Sequence, residues 1–556
     1  MLELVSLEVI NFRSIEYASL KFDETTLLIG ENDSGKFILM EALSAILDPQ
    51  LEDKLPEFST FQFYKDPEKE VPEEKLQIKL LFQLNYNKAL NASKELELLM
   101  VDPQEALKKK PKLEVSFVSH LSGSVGTSEW SCTNLQKGTV TKDTRALGAI
   151  RKIVPVIHLR FGILTGFLNM PESIEGDTHV ETDHENQLRH QIFTSVNEII
   201  LGTTQDTDMS LNKGFEAVET LLQFYRQPNE VQEGEDGVML RIREILQMVA
   251  LSEQEHIADT LKRFHRPTEK LAALMLVHAL LKSNSTKFEK YTRPILILQH
   301  PEAFLHKTTL ATIGILLSRI QWQKILTTNS GILLSRVPLK SIRMLRRKQG
   351  IIQESHIDSQ LYTNEDLRRL SYHLRSKYSS ASFDRFWILV EGESEFWILP
   401  HLARIMNYEF WQEGISVIDF AQSGLKPLLK YATDLGIGWH VLVDGDEAGL
   451  YYEKQIQDFA NKHNLKNVIT RLKEKDIEHY FWHHGFEKVF IKAAKSKYVV
   501  ENELKPGVTI RKAVKNKSKP YLALSIIEAI AAKGSSSIPD MLYQMIESCI
   551  ALARKN

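Results

Sequence analysis

The chain reads as an α/β protein built of two domains in succession, and three observations carry that reading. GENDSGKF (residues 30–37) follows the apolar run TTLLI and precedes FILMEALSAIL, whose apolar spacing is helical. Strand, glycine-rich loop, helix is the setting that a phosphate-binding P-loop requires. A Ser-rich polar stretch, LRSKYSSASF (374–383), then reads as a linker. Beyond it strands and helices alternate afresh in RFWILVEGESEFWILPHLARIM (385–406), GISVIDFA (414–421) and GWHVLVDGDEAG (438–449).

Taken in order, LELVSLEVINFRSI alternates as a strand, TTLLIG (25–30) is a short buried strand, and KLQIKLLFQL (75–84) is another strand. Residues 165–250 change character. The polar GDTHVETDHENQ (176–187), the helical GFEAVETLLQFY (214–225) and the acidic turn EGEDG (233–237) read as a helical insertion flanked by loops. KLAALMLVHALL (270–281) reads as a buried helix. RPILILQHPEAFLH (293–306) contains a very apolar strand with a turn after it, and KILTTNSGILLS (324–335) is strand, turn, helix.

A chain of 556 residues exceeds one ordinary core, so two to four domains are expected. With 43% hydrophobic and 25% charged residues, the composition is globular. A net charge of -3 means that any nucleic-acid surface must be a local patch. Cys132 and Cys549 are too few for a disulfide scaffold or a Cys-based zinc site, which fits a reducing compartment. MLELVSLEVINF lacks the basic-then-apolar order of a signal peptide. The longest apolar helical run, Leu271 to Leu281, is 11 residues, too short for a bilayer. A cytoplasmic location without membrane contact is expected.

The P-loop pattern G-x-x-x-x-G-K-[ST] ends in a hydroxyl that ligates magnesium. Gly30, Asn32, Ser34, Gly35 and Lys36 are placed to contact a nucleotide, but Phe37 stands where the hydroxyl belongs. A phenyl ring cannot ligate a hard cation. In an ABC-type ATPase the apolar strand seen here at 294–298 ends in an acidic metal ligand, then a glutamate that polarises the attacking water. Here those positions carry Gln299 and His300. The switch histidine expected after KILTT is Asn329, and no Ser-x-Gly signature is visible in HRPTEKLAALM. Phe37, Gln299 and His300 would converge on one metal and one water. Together they predict ATP held by loop amides and Lys36 without efficient hydrolysis. The plainer alternative is that 30–37 is now only a tight turn.

The second half carries acids at strand ends. Glu391 follows one apolar strand, with Glu395 one helical turn on, and Asp444 and Asp446 follow another. DIEHYF (476–481) adds Glu478. Ligands of open α/β sheets gather at the carboxyl ends of strands. Carboxylates gathered there repel unless a cation lies between them, and oxygen-only ligands select Mg2+ or Mn2+. EGxxE alone is a weak signal. Placed at a strand end and followed by a second apolar strand ending in DGDEAG, it is specific. Solvated surface acids would not explain why each pair directly follows an apolar strand. Residues 487–519 contain ten Lys/Arg against three Glu, among them Lys512, Lys515 and Lys517, the candidate contacts to DNA phosphates. Residues 336–350 contain six basic residues and no acid. Either patch is also readable as a solvated face.

The order P-loop, helical insertion, LILQHPEAFLH, TTNSGILLS, EGESE and DGDEAG resembles the overcoming-lysogenisation-defect (OLD) family of nucleases. The likeness covers nearly the whole chain. It is most specific in FAQSGLKPLLKYATDLGIGWHVLVDGDEAG and KSKPYLALSIIEAIAAKGSSSIPDML. It implies an ABC-type P-loop ATPase domain (1–164 and 251–372) with a dimerising helical insertion at 165–250. A Toprim (Rossmann-like) nuclease core at 384–480 would follow, completed by a helical part at 481–556. The implied activity is that of a DNA endonuclease or nickase with two Mg2+ or Mn2+ ions per Toprim site. Glu391, Glu395, Asp444, Asp446 and Glu478 would be the ligands, with Asp446 alternatively behind them. Glu391, Asp444 and Lys519 would be catalytic, Lys519 stabilising charge on the scissile phosphate.

The resemblance further implies a homodimer or higher oligomer acting against phage, alone, with a partner protein, or as effector of a retron ribonucleoprotein. The Toprim matches are intact and the ATPase matches are not, so the first half is expected to serve assembly or partner sensing. Two other readings stay open. A topoisomerase- or primase-like Toprim enzyme would need a separate tyrosine-bearing domain or a priming-substrate or zinc module. A non-catalytic DNA-binding scaffold or sensor would have no reason to keep the carboxylate set.

Overall fold

A computed structural model describes residues 2–85, 94–101, 110–160, 291–302, 322–373, 378–494 and 505–555, less Pro67, Glu70, Ser124 and Asn467, together with Leu310, Gly314 and Leu317. The expected insertion at 165–250 and the helix at 270–281 lie outside the described residues. Two compact units emerge. One comprises Met1–Val337 and Leu345–Glu354, the other Pro338–Met344 and Ser355–Asn556.

The first sheet uses β1 (Leu2–Phe12), β2 (Ile15–Lys21), β3 (Thr25–Ile29), β4 (Phe58–Ser59), β5 (Lys75–Leu84), β6 (Lys112–Ser122), β7 (Val125–Asn134), β8 (Thr139–Thr141), β9 (Val156–Arg160), β10 (Ile295–Gln299), β11 (Gln323–Thr327), β12 (Ile342–Lys348) and β13 (Ile351–His356). Its order is β4-β7-β6-β5-β1-β2-β13-β12-β3-β11-β10-β9, with β8 on β7. Neighbours β3, β11, β10 and β9 are parallel. Continuous apolar runs such as TTLLI and ILIL suit strands covered on both faces. β1, β5, β6 and β7 form an antiparallel wing. In β5 every second residue is buried and the others are half-buried or exposed, the period-2 pattern of a strand whose two faces differ.

Helix α1 (Lys36–Leu47) leaves the P-loop and buries Leu39, Met40, Leu43, Ile46 and Leu47. Helix α2 (Thr144–Ile153) is capped by Asp143, which accepts from the Arg145 amide. Arg151 on α2 is buried. Its guanidinium donates to the carbonyls of Ile46 (2.9 Å), Glu52 (2.7 Å) and Lys54 (2.7 Å), clamping the end of α1 to the following turn. Burial draws its pKa down to about 10.

The second unit holds a parallel sheet of β14 (Phe386–Val390), β15 (Ile415–Asp419), β16 (Gly438–Val443) and β17 (Ile469–Arg471), in the order β15-β14-β16-β17. Every residue of β14 is buried. Phe386, Ile388 and Val390 share a core with α3 (Glu393–Ile405), α7 (Lys519–Lys533) and α8 (Asp540–Lys555), through Ile398, Leu402, Ile526, Ile530 and Ile546. On the other face the Trp387 ring stacks on Tyr431, centroids 5.7 Å apart. Helices α4 (Glu447–Lys462), α5 (Ile477–Phe481) and α6 (Pro506–Asn516) complete the parts used below.

The border between the units differs from its sequence reading. Residues 355–372 group with the second unit. There the Tyr362 hydroxyl donates to Asp434 (2.7 Å). The described part of the expected linker is partly core: Ser380 is exposed, but Ser382 is fully buried against the Tyr431 hydroxyl (2.9 Å), and the Trp387 indole donates to the Ala381 carbonyl (2.8 Å). The Ser382 hydroxyl, which looks solvated in sequence, is here the partner of a buried tyrosine.

Candidate functional site

In β14 and β16 Val390 lies opposite Leu442, so the two strands end within a residue of each other. Glu391 follows one and Asp444 follows the other. The chain leaves β14 to form β15 on one side and returns to form β16 on the other. That reversal makes the β14/β16 crevice the switch point where open α/β sheets bind ligands. DGDEAG is built for close approach. A Cβ at Gly445 would lie 2.3 Å from the Glu474 carbonyl and one at Gly449 would lie 1.9 Å from that of Asp444. Gly445 donates to the Glu474 carbonyl (3.0 Å), which draws residues 474–478 beside Asp444.

Glu395 and Glu478 are 4% and 5% exposed, burial that acids tolerate only with a partner. Ser394 donates to Glu478 Oε1 (2.7 Å), and Lys519 Nζ stands 3.9 Å from the same oxygen. Asp446 caps α4 by accepting from the Gly449 amide (2.9 Å). Asp476 caps α5 by accepting from the His479 amide (2.8 Å), and its Oδ1 also meets His479 Nδ1 (2.6 Å). Burial pushes the Asp444 carboxyl up to about 8, reinforced by the charges of Glu395, Glu391, Asp476 and Glu478. Burial pushes Glu395 up to about 7, with Glu478 and Glu391 adding to it and Lys519 opposing. Glu391 is also raised, by burial and then by Asp446, while the Asp444 amide and Lys519 pull the other way.

The structure thus brings Glu391, Glu395, Asp444, Asp446, Glu478 and Lys519 into one neighbourhood. It adds Asp476 and Ser394, which sequence reasoning passed over. Both stood inside the quoted motifs, Ser394 in EGESE and Asp476 heading DIEHYF, where a residue before a helix signals a cap. Among the described residues no three His, Cys, Asp or Glu side chains enclose a point as they lie. The donor set nevertheless fits a hard cation. It is all oxygen, it carries surplus negative charge, and Glu391 Oε2 is buried with no hydrogen-bond partner.

The P-loop differs. Gly30 has φ 144° and a Cβ there would strike the Leu345 carbonyl at 2.3 Å, so only glycine fits. Lys36 is fully buried and folded back on its own loop. It donates to the carbonyls of Gly30 (2.5 Å) and Glu31 (2.7 Å) and to Ser34 Oγ (3.3 Å). Burial draws its pKa down to about 8, against the charges of Glu302, Asp33 and Glu31. The Phe37 ring packs on the His300 ring, centroids 4.5 Å apart. Gln299 Oε1 pairs with His158 Nε2 (3.0 Å), whose Nδ1 meets Ser44 Oγ (2.9 Å). The amides of Asn32 and Asn329 meet at 3.0 Å. The acid at this site is Glu302, two residues past His300 and unremarked in sequence. It accepts from Thr328 Oγ1 (2.8 Å) and the Asn329 amide (2.7 Å) and faces His300 Nδ1 (3.4 Å). Burial pushes its pKa up, but these hydrogen bonds outweigh burial and hold it below the ordinary value.

The basic stretches divide as well. Lys512 and Lys515 are exposed on and beside Arg511 of α6, and Lys517 Nζ lies 4.5 Å from the Tyr521 ring centre. Residues 336–350 are not one solvated patch. Arg343 is buried on the carbonyls of Lys340 (2.6 Å) and Ile342 (3.0 Å), and Arg347 donates to Ser14 Oγ (2.6 Å).

Residues 2–381 match the family described as protein of unknown function DUF2813, and residues 383–446 match the OLD-like Toprim domain. The chain is a DUF2813-family protein with an OLD-like Toprim domain. An uncharacterised Escherichia coli K12 protein, YbjD, is 31% identical over 567 residues, covering 99% of both chains. The solved C-terminal region of the Burkholderia pseudomallei OLD protein is 16% identical, covering 31% of this chain and 99% of that one, at TM-score 0.26. The SMC head domain from Thermotoga maritima is 12% identical, covering 64% and 99%, at TM-score 0.31. This DUF2813 protein is an α/β protein whose second unit carries an OLD-like Toprim domain. Among its described residues no helix is long and apolar enough to cross a membrane.

Proposed function

We propose that the Toprim unit is a metal-dependent DNA endonuclease or nickase. One observation carries this: an unpaired, buried Glu391 oxygen at the β14/β16 switch point, among carboxyls raised by burial and mutual repulsion, with Lys519 beside them. Glu391, Glu395, Asp444, Asp446 and Glu478 would hold Mg2+ or Mn2+, which when bound supplies Lewis-acid charge at a phosphodiester and a more acidic water. The chain's own residues do the rest. Ser394 fixes the Glu478 carboxylate. The capping bond of Asp446 sets the start of α4. Lys519, 3.9 Å from Glu478 Oε1, would offer its ammonium to a non-bridging phosphate oxygen. Lys512, Lys515 and Lys517 hold backbone phosphates without regard to sequence.

The ATPase-like unit serves assembly or partner sensing in this reading, with the dimerising segment at 165–250. A role against phage, with a partner protein or ribonucleoprotein, rests on family likeness. The test incubates the full chain with supercoiled plasmid and with linear DNA, in Mg2+ or Mn2+, with and without ATP, beside Asp444→Ala. Metal-dependent nicking or cutting that ignores ATP and vanishes in the variant is expected. Cutting that survives Asp444→Ala, or none under any condition, sinks the proposal.

A further inference from the structure

P-loop folds imply a magnesium ion between the residue after the loop lysine and the end of the neighbouring acidic strand. The residues here do not fit one. That place is bounded by Phe37 at the start of α1 and by Gln299 and His300 at the end of β10. The Phe37 and His300 rings are in contact there. Gln299 is paired with His158, and the nearby carboxylate, Glu302, already accepts from Thr328 and Asn329. A hard cation needs several oxygen ligands and charge compensation, and beside the Glu302 carboxylate, already held by Thr328, Asn329 and His300, this corner offers two rings and a neutral amide.

The loop itself has not been levelled into a plain turn. Gly30 keeps the conformation that only glycine fits, and Gly35 at φ 86° opens α1, a helix of 12 residues. Lys36 keeps a charge in full burial, where an apolar side chain would cost less. Its three donors are engaged by two loop carbonyls and one hydroxyl. An anion would exchange neutral acceptors for charged ones, and hydrogen bonds between charged partners are the stronger kind.

We propose that the P-loop of the first unit binds the phosphate chain of a nucleoside triphosphate without a divalent cation, the Phe37–His300 ring pair filling the metal's place and Lys36 supplying the counter-charge. The ligand then acts as an effector that turns over slowly or not at all. This site belongs to the first unit and the Toprim acids to the second, so the inference holds or fails independently of the nuclease reading.

Isothermal titration of the full chain with ATP, in Mg2+ and in EDTA, tests it on nucleotide binding rather than DNA cleavage. The same Kd is expected in both. Inorganic tripolyphosphate should compete, since the phosphate chain is what the loop holds. Lys36→Met should weaken binding about ten- to a hundredfold, the range of one charged hydrogen-bonding partner. Because that variant removes a buried group, a second keeps Lys36: Phe37→Ser with Gln299→Asp and His300→Glu clears the rings and restores carboxylates. Its ATP affinity should rise on adding Mg2+. Binding by the natural chain that requires Mg2+, or no binding in either buffer, overturns the proposal. So does a triple variant that binds ATP yet ignores Mg2+.

Discussion

After β3, a lysine is wrapped in its own loop's oxygens and two rings close over the corner where a metal would lie. After β14 and β16, several carboxyl groups crowd together and one buried oxygen has no partner. Both places are the carboxyl ends of parallel strands, and both are rich in glycine and charge. The first has its charges satisfied internally, as a folded chain left to itself would have them. The second holds acids whose ionisation burial and mutual repulsion oppose. Perturbed, mutually repelling groups in a crevice are the mark of a working site. Ring contacts and closed hydrogen bonds at the P-loop are the ground on which metal-free phosphate binding is proposed there.

The sharpest break of that comparison comes from Asp444→Ala and Glu391→Ala. Each should lower DNA cleavage about a hundredfold or more while leaving thermal stability unchanged or higher, because repulsion is removed. Gel assays beside thermal melts check this, and a fully active pair would erase the contrast between the two sites.

Next in size is the response to pH and metal. Asp444 and Glu395 keep their protons in the fold to about 8 and about 7. Unfolded, such acids release them near pH ~4. Between those limits the folded state binds more protons, so metal-free stability falls as pH rises from about 4 to 8. At pH 8, Mn2+ should restore a few degrees of melting temperature, about what 1–2 kcal/mol gives a unit of this size. Asp444→Asn should flatten both effects, and an unchanged pH slope in that variant would assign the slope elsewhere.

A smaller change follows from the basic helix. Lys512→Ala and Lys515→Ala should each reduce the salt slope of DNA affinity by about one, without changing sequence preference. Fluorescence anisotropy across a salt series measures it, and an unaltered slope would leave those lysines as solvated surface. The smallest expected effect is none. Phe37→Ser alone should restore no ATP turnover, because Gln299 and His300 still stand at the metal and water positions. Phosphate release above background would show that one hydroxyl was all the site lacked.

Much of the architecture was legible. TTLLI, LILQ and KILTT are runs that only covered parallel strands make tolerable, and FWILV and HVLV announce the second sheet the same way. That Glu391, Glu395, Asp444 and Asp446 come together was legible because motif and strand end coincide, and Glu478 joins them from α5. Ser394 and Glu302 were not legible, since each acts through a contact with a residue far away in the chain, Glu478 and Thr328; Asp476, bonded to His479 three residues on, offered only a cap signal. Within 374–383 the burial of Ser382 and Ala381 was hidden for a related reason: it shows only once Tyr431 meets the Ser382 hydroxyl and Trp387 the Ala381 carbonyl.

By itself, then, the order of residues determined which strands are buried, where glycine must stand, and which ligands the P-loop lacks, because periodicity, backbone sterics and side-chain chemistry are local properties. Only the tertiary structure decided that Phe37 rests on His300 and that Glu391 is left with an unpaired oxygen. Those outcomes depend on which distant groups share a low-dielectric space, and burial and proximity are not written in any one segment.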